Sequence, residues 1–358
     1  MKKSIAAMAF TFFSLFSCKG YADLSVDQFE KKLSEGPTIQ LVDVRTPEEY
    51  AEGHLAGAIN IDWYGEDFIE KAKAVLSTEK PVLVYCRSGK RSAAAAAKLD
   101  GAFFKTYNLK GGYLAWTAAG KPVTRYEVER FLTDSGLPVD ITLIKHGSLE
   151  IRYKGLSIQV DPVAEYGKHT DYATEFPKAD IVLVTHEHPD HLEDATIATL
   201  TGENTRLILN QTSRNIIGRG EVIGNGGRLI IPTGDPRPES SVFPEDIILE
   251  AVPAYNTTPG REKFHPKGNG NGYMLTMDGL RIYIAGDTED VPEMAELKDI
   301  DVAFLPVNQP FTMTPEQCIA AAKIITPKVL IPYHYSKTDV SGIPAALPGI
   351  DVRIRQMQ

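Results

Sequence analysis

Cysteine is scarce in this chain: three in 358 residues, at positions 18, 86 and 318, with no Cys-x-x-Cys pair. That excludes a disulfide framework. Positive charge is not in excess either. A formal charge of -9 speaks against a nucleic-acid partner, because phosphate binding needs a concentrated positive surface. Runs of like charge are absent, so the acidity reads as a solvated surface. Beyond the first twenty residues no stretch is long and apolar enough to span a membrane. Internal repeats and low-complexity tracts are also missing. What is present is a globular composition, 43% hydrophobic and 24% charged, on a chain long enough for two domains with separate cores. Histidine is the informative residue: of eight, three fall within six positions, His186, His188 and His191.

The first 22 residues read as an export signal. Lys2 and Lys3 precede an apolar run from Ile5 to Phe16, and Gly20-Tyr21-Ala22 offers small residues for cleavage before Asp23. Leu15-Phe16-Ser17-Cys18 is a loose lipobox, so lipidation of Cys18 competes with soluble export. Bulky Phe16 favours the soluble form. Either way the expected location is periplasmic or otherwise extracytoplasmic, with a membrane partner only if Cys18 is lipidated.

From residue 23 to 124 strands and helices alternate. Thr38 to Val44 and Pro81 to Tyr85 are apolar strands, and Pro47 to Glu52 and Ser92 to Leu99 are helical. Such alternation implies a parallel sheet covered on both faces, an α/β domain. Around residues 125–138 the periodicity changes and turn residues accumulate, which places a linker there. From Val139 to the end the texture is strand-rich, with a turn at Lys154-Gly155. A helix is expected over Pro315 to Ile325, with Thr314 as N-cap, Pro315 at N1 and Gln317 closing a capping box.

Cys86-Arg87-Ser88-Gly89-Lys90-Arg91 follows an apolar strand and opens a helix. Backbone N–H groups in such a turn curl into an anion-binding nest, and Arg87, Lys90 and Arg91 add positive charge. Both effects favour a nucleophilic thiolate. A buried structural cysteine is the bland alternative, but burial disfavours three cations within five residues.

Residues 24–123 resemble a single-domain rhodanese. The matching segments are "LVDVRTPEEYAEGHLAGAINI" (41–61), "VLVYCRSGKRSAAAAAKL" (82–99) and "NLKGGYLAWTAAGKPV" (108–123). The resemblance implies sulfur transfer: Cys86 takes a sulfane sulfur from a donor and passes it to a thiol or cyanide, helped by Arg87 and Arg91. It implies structural roles for Asp43 and Arg45, and His54 reads as a packed histidine. Related phosphatases carry Cys-x5-Arg, whereas Cys86 and Arg91 stand at Cys-x4-Arg, a tighter loop suited to sulfur.

"ADIVLVTHEHPDHLED" sets an apolar strand directly before His186, His188, Asp190 and His191. Alternate residues His186 and His188 point the same way from extended chain, and Pro189 turns it to present Asp190 and His191. Three imidazoles and a carboxylate at a strand end match the preferences of zinc, with iron or manganese as alternatives. A packed reading would leave several buried polar groups in need of partners. Asp190 is placed to orient an attacking water and is therefore a candidate catalytic residue. Glu187, between the histidines, should point away.

The His-x-His-x-Asp-His motif resembles that of metallo-β-lactamase-fold hydrolases, and residues 139–358 follow that family's order. The resemblance implies an αββα sandwich. It also implies one metal held by His186, His188 and Asp287 and another by Asp190, His191, Asp287 and His334. The family's usual third histidine of the first metal falls at Asn256, so either Asn256 or His265 completes that site. His146 and Asp161 stand near the metals or are a hydrogen-bonded core histidine and a turn aspartate. The expectation is an exported protein that combines sulfurtransfer with hydrolysis of a small ester, thioester, lactam or phosphodiester. Two other readings stay open. One is a persulfide dioxygenase, disfavoured by reversed fusion order and by Asn256; the other is a rhodanese domain that only carries sulfur or binds a partner. Cys318 is expected to be buried and inert.

Overall fold

The computed structural model describes residues 20–34, 39–234 and 243–357. The signal segment and Cys18 lie outside them. The chain divides into two compact units, residues 1–125 and 126–358.

In the first unit, strands β1 (Ala22–Leu24), β2 (Gln40–Asp43), β3 (Ala58–Asn60), β4 (Val82–Tyr85) and β5 (Thr106–Leu109) form a parallel sheet in the order β1-β5-β4-β2-β3. Alternation along each strand divides the core. Val42, Val82 and Val84 pack with Phe68, Ala95 and Leu99 from helices Phe68–Val75 and Lys90–Asp100. Leu41, Leu83 and Tyr85 pack on the other face with Phe29 and Trp116 from helices Val26–Leu33 and Gly112–Ala118. Both faces are covered, which is why strand β4 is apolar throughout rather than alternating.

The second unit is a four-layer αββα sandwich. Its first sheet runs β6 (Glu127–Leu132), β7 (Pro138–Lys145), β8 (Ser148–Tyr153), β9 (Leu156–Val160), β10 (Ile181–Leu183), β11 (Arg206–Leu209) and β12 (Glu221–Val222), neighbours in sequence order. Its second runs β13 (Arg228–Ile231), β14 (Ile247–Ala254), β15 (Gly270–Met277), β16 (Leu280–Ile284), β17 (Val302–Pro306), β18 (Val329–Tyr333) and β19 (Asp351–Val352). Inward residues such as Ile181, Leu183, Ile208, Leu249, Ile282, Phe304 and Ile331 fill one layer between the sheets. Their outward neighbours Val182 and Val184 meet helix Asp194–Leu200, and Tyr283, Ala303 and Leu305 meet helix Pro315–Ile325. That last helix begins and ends where its sequence places it, with the Thr314–Gln317 capping box formed.

Residues 125–138 do not serve only as a linker. Glu127–Leu132 form β6, paired antiparallel with β7 along its whole length. Arg353 Nη1 and Arg355 Nε each reach Glu129 at 2.5 Å, partners too distant in sequence to be foreseen.

Candidate functional sites

In the first unit the residue after β4 is Cys86, and helix Lys90–Asp100 starts four residues later, after Gly89 in a left-handed conformation. The loop is held from outside. Tyr113 N donates to Cys86 O at 2.8 Å and Leu114 N to Arg87 O at 3.0 Å. Gly112 makes this approach feasible, since a Cβ there would lie 2.2 Å from the Cys86 carbonyl. Ser92 Oγ donates to the Cys86 sulfur at 3.3 Å. Cys86 is buried among Val84, Ala95 and Leu99, while Arg87 and Lys90 are exposed. Two cations of this loop are thus open to solvent while its sulfur is buried. The Arg91 guanidinium is engaged with Glu49, two bonds of 2.7 Å; the bidentate geometry makes it a strut between loop and helix Pro47–Glu52. Arg45 clasps Asp43 and donates to Gly53 O at 2.6 Å. His54 stacks on Tyr50 with centroids 3.6 Å apart.

In the second unit, side chains converge beyond the C-terminal ends of β9, β10, β16 and β18, the end of an α/β sheet where ligands bind. Two groups assemble. His186, His188, His265 and Asp287 offer ligand atoms within 4.8 Å of one another, and so do His146, Asp190, His191 and His334. Asp287 lies between them. Its Oδ2 is 3.2 Å from His265 Nε2 and 3.9 Å from His186 Nε2, while its Oδ1 is 3.3 Å from both His191 Nε2 and His334 Nε2. All six residues expected to share an inorganic centre are here, joined by His265 and His146.

His265 takes the place left open in the first group, while the Asn256 amide oxygen is buried without a hydrogen-bond partner. Asn256 Nδ2 donates to Phe311 O at 2.7 Å and Arg261 O at 3.2 Å, and its backbone N to His265 O at 2.9 Å. It braces the loop. His265 Nδ1 also donates to Phe311 O, at 3.1 Å, which leaves the Nε2 lone pair directed at Asp287. Asp161 does the same for His191: its Oδ2 accepts from Nδ1 at 2.7 Å, while Thr185 N and Oγ1 donate to the carboxylate at 2.7 Å each. Gly147 gives room for this ring; a Cβ there would sit 2.8 Å from it. Glu187 points elsewhere, toward Asn269 and Asn210.

Electrostatics complete the picture. Burial holds His186 and His188 below the usual imidazole range and His146 at about 4, so all three are neutral bases. Burial would raise Asp190 and Asp287, but His146 and His334 on the first, and His334 and His191 on the second, outweigh it and keep both ionised. His191 moves the other way. Burial opposes its charge, yet Asp287 and Asp161 raise it well above the ordinary value. The pocket's carboxylates therefore call for a cation. Buried His191 Nε2, His265 Nε2, His334 Nε2 and Asp287 Oδ1 have no hydrogen-bond partner; imidazole and carboxylate groups of this kind fit divalent metal ions. Beside the second group stands Tyr166, its phenol raised by burial first and then by the charge of Asp190. Neither Tyr166 nor Lys145, described below, carries a signal in the sequence; both sit in stretches of ordinary composition.

A family model described as a beta-lactamase superfamily domain matches residues 140–334, more than half of the chain. The chain belongs to the beta-lactamase superfamily. A metal-dependent hydrolase of Bacillus pumilus (strain SAFR-032) is 30% identical over 198 residues, 53% of this chain and 83% of that protein. One of Thermococcus kodakarensis is 31% identical over 189 residues, 50% and 77% respectively. Among solved structures, a metal-dependent hydrolase from Parabacteroides distasonis ATCC 8503 is 52% identical, with a TM-score of 0.59, and covers 65% of this chain and 100% of its own. A rhodanese-like domain model matches residues 25–119. This superfamily member is thus a metal-dependent hydrolase domain behind a rhodanese-like domain.

Proposed function

We propose that the C-terminal unit hydrolyses a small ester, thioester, lactam or phosphodiester with two metal ions, zinc in the first instance, shared across Asp287. The observation that carries this reading is the division of Asp287's two oxygens between two complete four-residue groups. Divalent cations held there would supply an acidified water and would draw charge from an acceptor oxygen. His186, His188 and His265 would hold one ion, and His146, Asp190, His191 and His334 the other. Asp190, with 21% of its side chain exposed and Oδ2 3.1 Å from His146 Nε2, is the carboxylate that solvent reaches; it orients the attacking water. Asp161 and the Phe311 carbonyl fix the tautomers of His191 and His265, so that each presents a lone pair. Elemental analysis of the wild type and of His334→Ala, followed by the four substrate classes, tests the reading. Metal retained in His334→Ala, or turnover in no class by the loaded wild type, counts against it.

We infer also that the N-terminal unit transfers sulfane sulfur. The Cys86 thiolate attacks the outer sulfur of a donor such as thiosulfate, releasing sulfite and forming a persulfide; a thiolate or cyanide then takes the outer sulfur and restores the thiolate. The exposed cations Arg87 and Lys90, in the segment that follows Cys86, support an anionic donor. Thiocyanate formation from thiosulfate and cyanide, lost in Cys86→Ser, is the test; activity persisting in that variant sinks it. Export is a further proposal, supported by Lys2, Lys3 and the apolar run after them and testable by fractionating cells that express the full chain.

A further inference from the structure

The loop from Asp161 to Thr170 contains an arrangement that neither reaction above uses. Lys145, at the end of β7 beside His146, is 5% exposed. Its ammonium donates to the carbonyls of Ala164, Tyr166 and Lys168 at 2.7, 2.8 and 2.8 Å. All three of its donors are thus spent on one loop, at alternate residues. Burying an ammonium among neutral oxygens is costly, and burial lowers its pKa accordingly. What the arrangement secures is the shape of the loop.

The residue this shape places is Tyr166. Its ring lies 4.6 Å from the His146 ring, tilted by 39°, yet Tyr166 is 41% exposed. Within the adjacent group, His191 and His334 are closed off, with side-chain exposures of 0% and 1%, whereas Asp190 retains 21%. Solvent therefore reaches this group past Asp190, and Tyr166, itself partly exposed, lies against the ring of His146, whose Nε2 meets Asp190. A phenol is a neutral donor that stays protonated at neutral pH, suited to an oxygen that gains negative charge as water attacks.

We propose that Tyr166 contacts the substrate, donating its O–H to an oxygen of the carbonyl or phosphoryl group under attack, and that Lys145 is the residue that positions it. The proposal rests on the hydrolase reading and deepens it.

The test uses the full chain loaded with zinc and two probe anions, inorganic phosphate and acetate, which resemble the products of phosphoester and ester hydrolysis. Binding is followed by titration calorimetry beside elemental analysis. Tyr166→Phe keeps the ring and removes the donor. Its expected result is unchanged zinc content and about tenfold weaker binding of one anion, the size of one lost hydrogen bond; which anion is affected separates phosphoryl from acyl substrates. Lys145→Met should show the same weakening, faster amide exchange confined to residues 162–170, and no further loss when combined with Tyr166→Phe. Unchanged affinity for both anions in a zinc-loaded Tyr166→Phe overturns the proposal. So does a wild type that carries zinc and binds neither anion, which leaves the metal site standing. A wild type that takes up no zinc overturns the hydrolase reading and this proposal together.

Discussion

At the scale of single residues, the second unit depends on groups that hold other groups. Asp161 touches no other member of the metal groups than His191, but it fixes which nitrogen of that ring carries the proton. Asp161→Asn, which can no longer accept the proton as a carboxylate does, should weaken metal binding about 10- to 100-fold; competition with a chromogenic chelator measures it, and full affinity would assign Asp161 to packing alone. Cys318 shows the opposite economy. It is buried on helix Pro315–Ile325, and burial pushes its thiol up to about 12. A group raised on folding stabilises the native state fully below its unfolded value, about 8.5, and that stability is lost as pH rises through the folded value. Denaturation between pH 8 and pH 11 should therefore show an alkaline loss that shrinks in Cys318→Ala. An identical loss in the variant would remove Cys318 as its source.

At the scale of elements, strand ends do the positioning. Asp161 and His334 directly follow β9 and β18, and His186 and Asp287 stand three residues beyond β10 and β16, so four strand ends set four side chains. His146 and His334 both have positive φ, 47° and 54°, a backbone form that costs energy and tends to gather at functional sites. Their backbones are coupled as well: His334 N donates to His146 O at 3.3 Å, and His146 N to the carbonyl of Met357. Helix Pro315–Ile325 packs the outer face of the second sheet behind Asp287 and His334, and its first turn relies on Thr314. Thr314→Ala should cost about 1 kcal/mol by chemical denaturation while leaving metal content intact. A change in metal content with no change in stability would contradict that division of roles.

At the scale of the whole molecule, each unit has its own core. Metal ions that bind only the native second unit stabilise it by mass action. Calorimetry of the loaded chain should show two transitions, and a chelator should lower only one of them. A metal concentration 100-fold above Kd corresponds to about 2.7 kcal/mol. Both transitions falling together would mean that the units unfold as one.

Much of this was legible before any coordinates. Apolar strands followed at once by Cys86 or by His186, His188, Asp190 and His191 identify both sites, because contiguous chemistry is written locally: a strand, a turn and the reactive side chains lie within a dozen residues. The parallel first sheet and the Thr314 helix follow from period and capping in the same way, and the αββα class follows from the resemblance that the His-x-His-x-Asp-His motif carries. Folding alone decided what depends on distance along the chain. It brought His265 into the first group, because the 256–265 loop turns back on the Phe311 carbonyl. It brought His146 into the second group, made β6 from the supposed linker by pairing it with β7 and Arg353, tied Arg91 to Glu49, and set Tyr166 beside His146 through Lys145. Each of these is a contact between segments whose separation no periodicity encodes, so the residues could be read from the sequence but not the partners that give them their work.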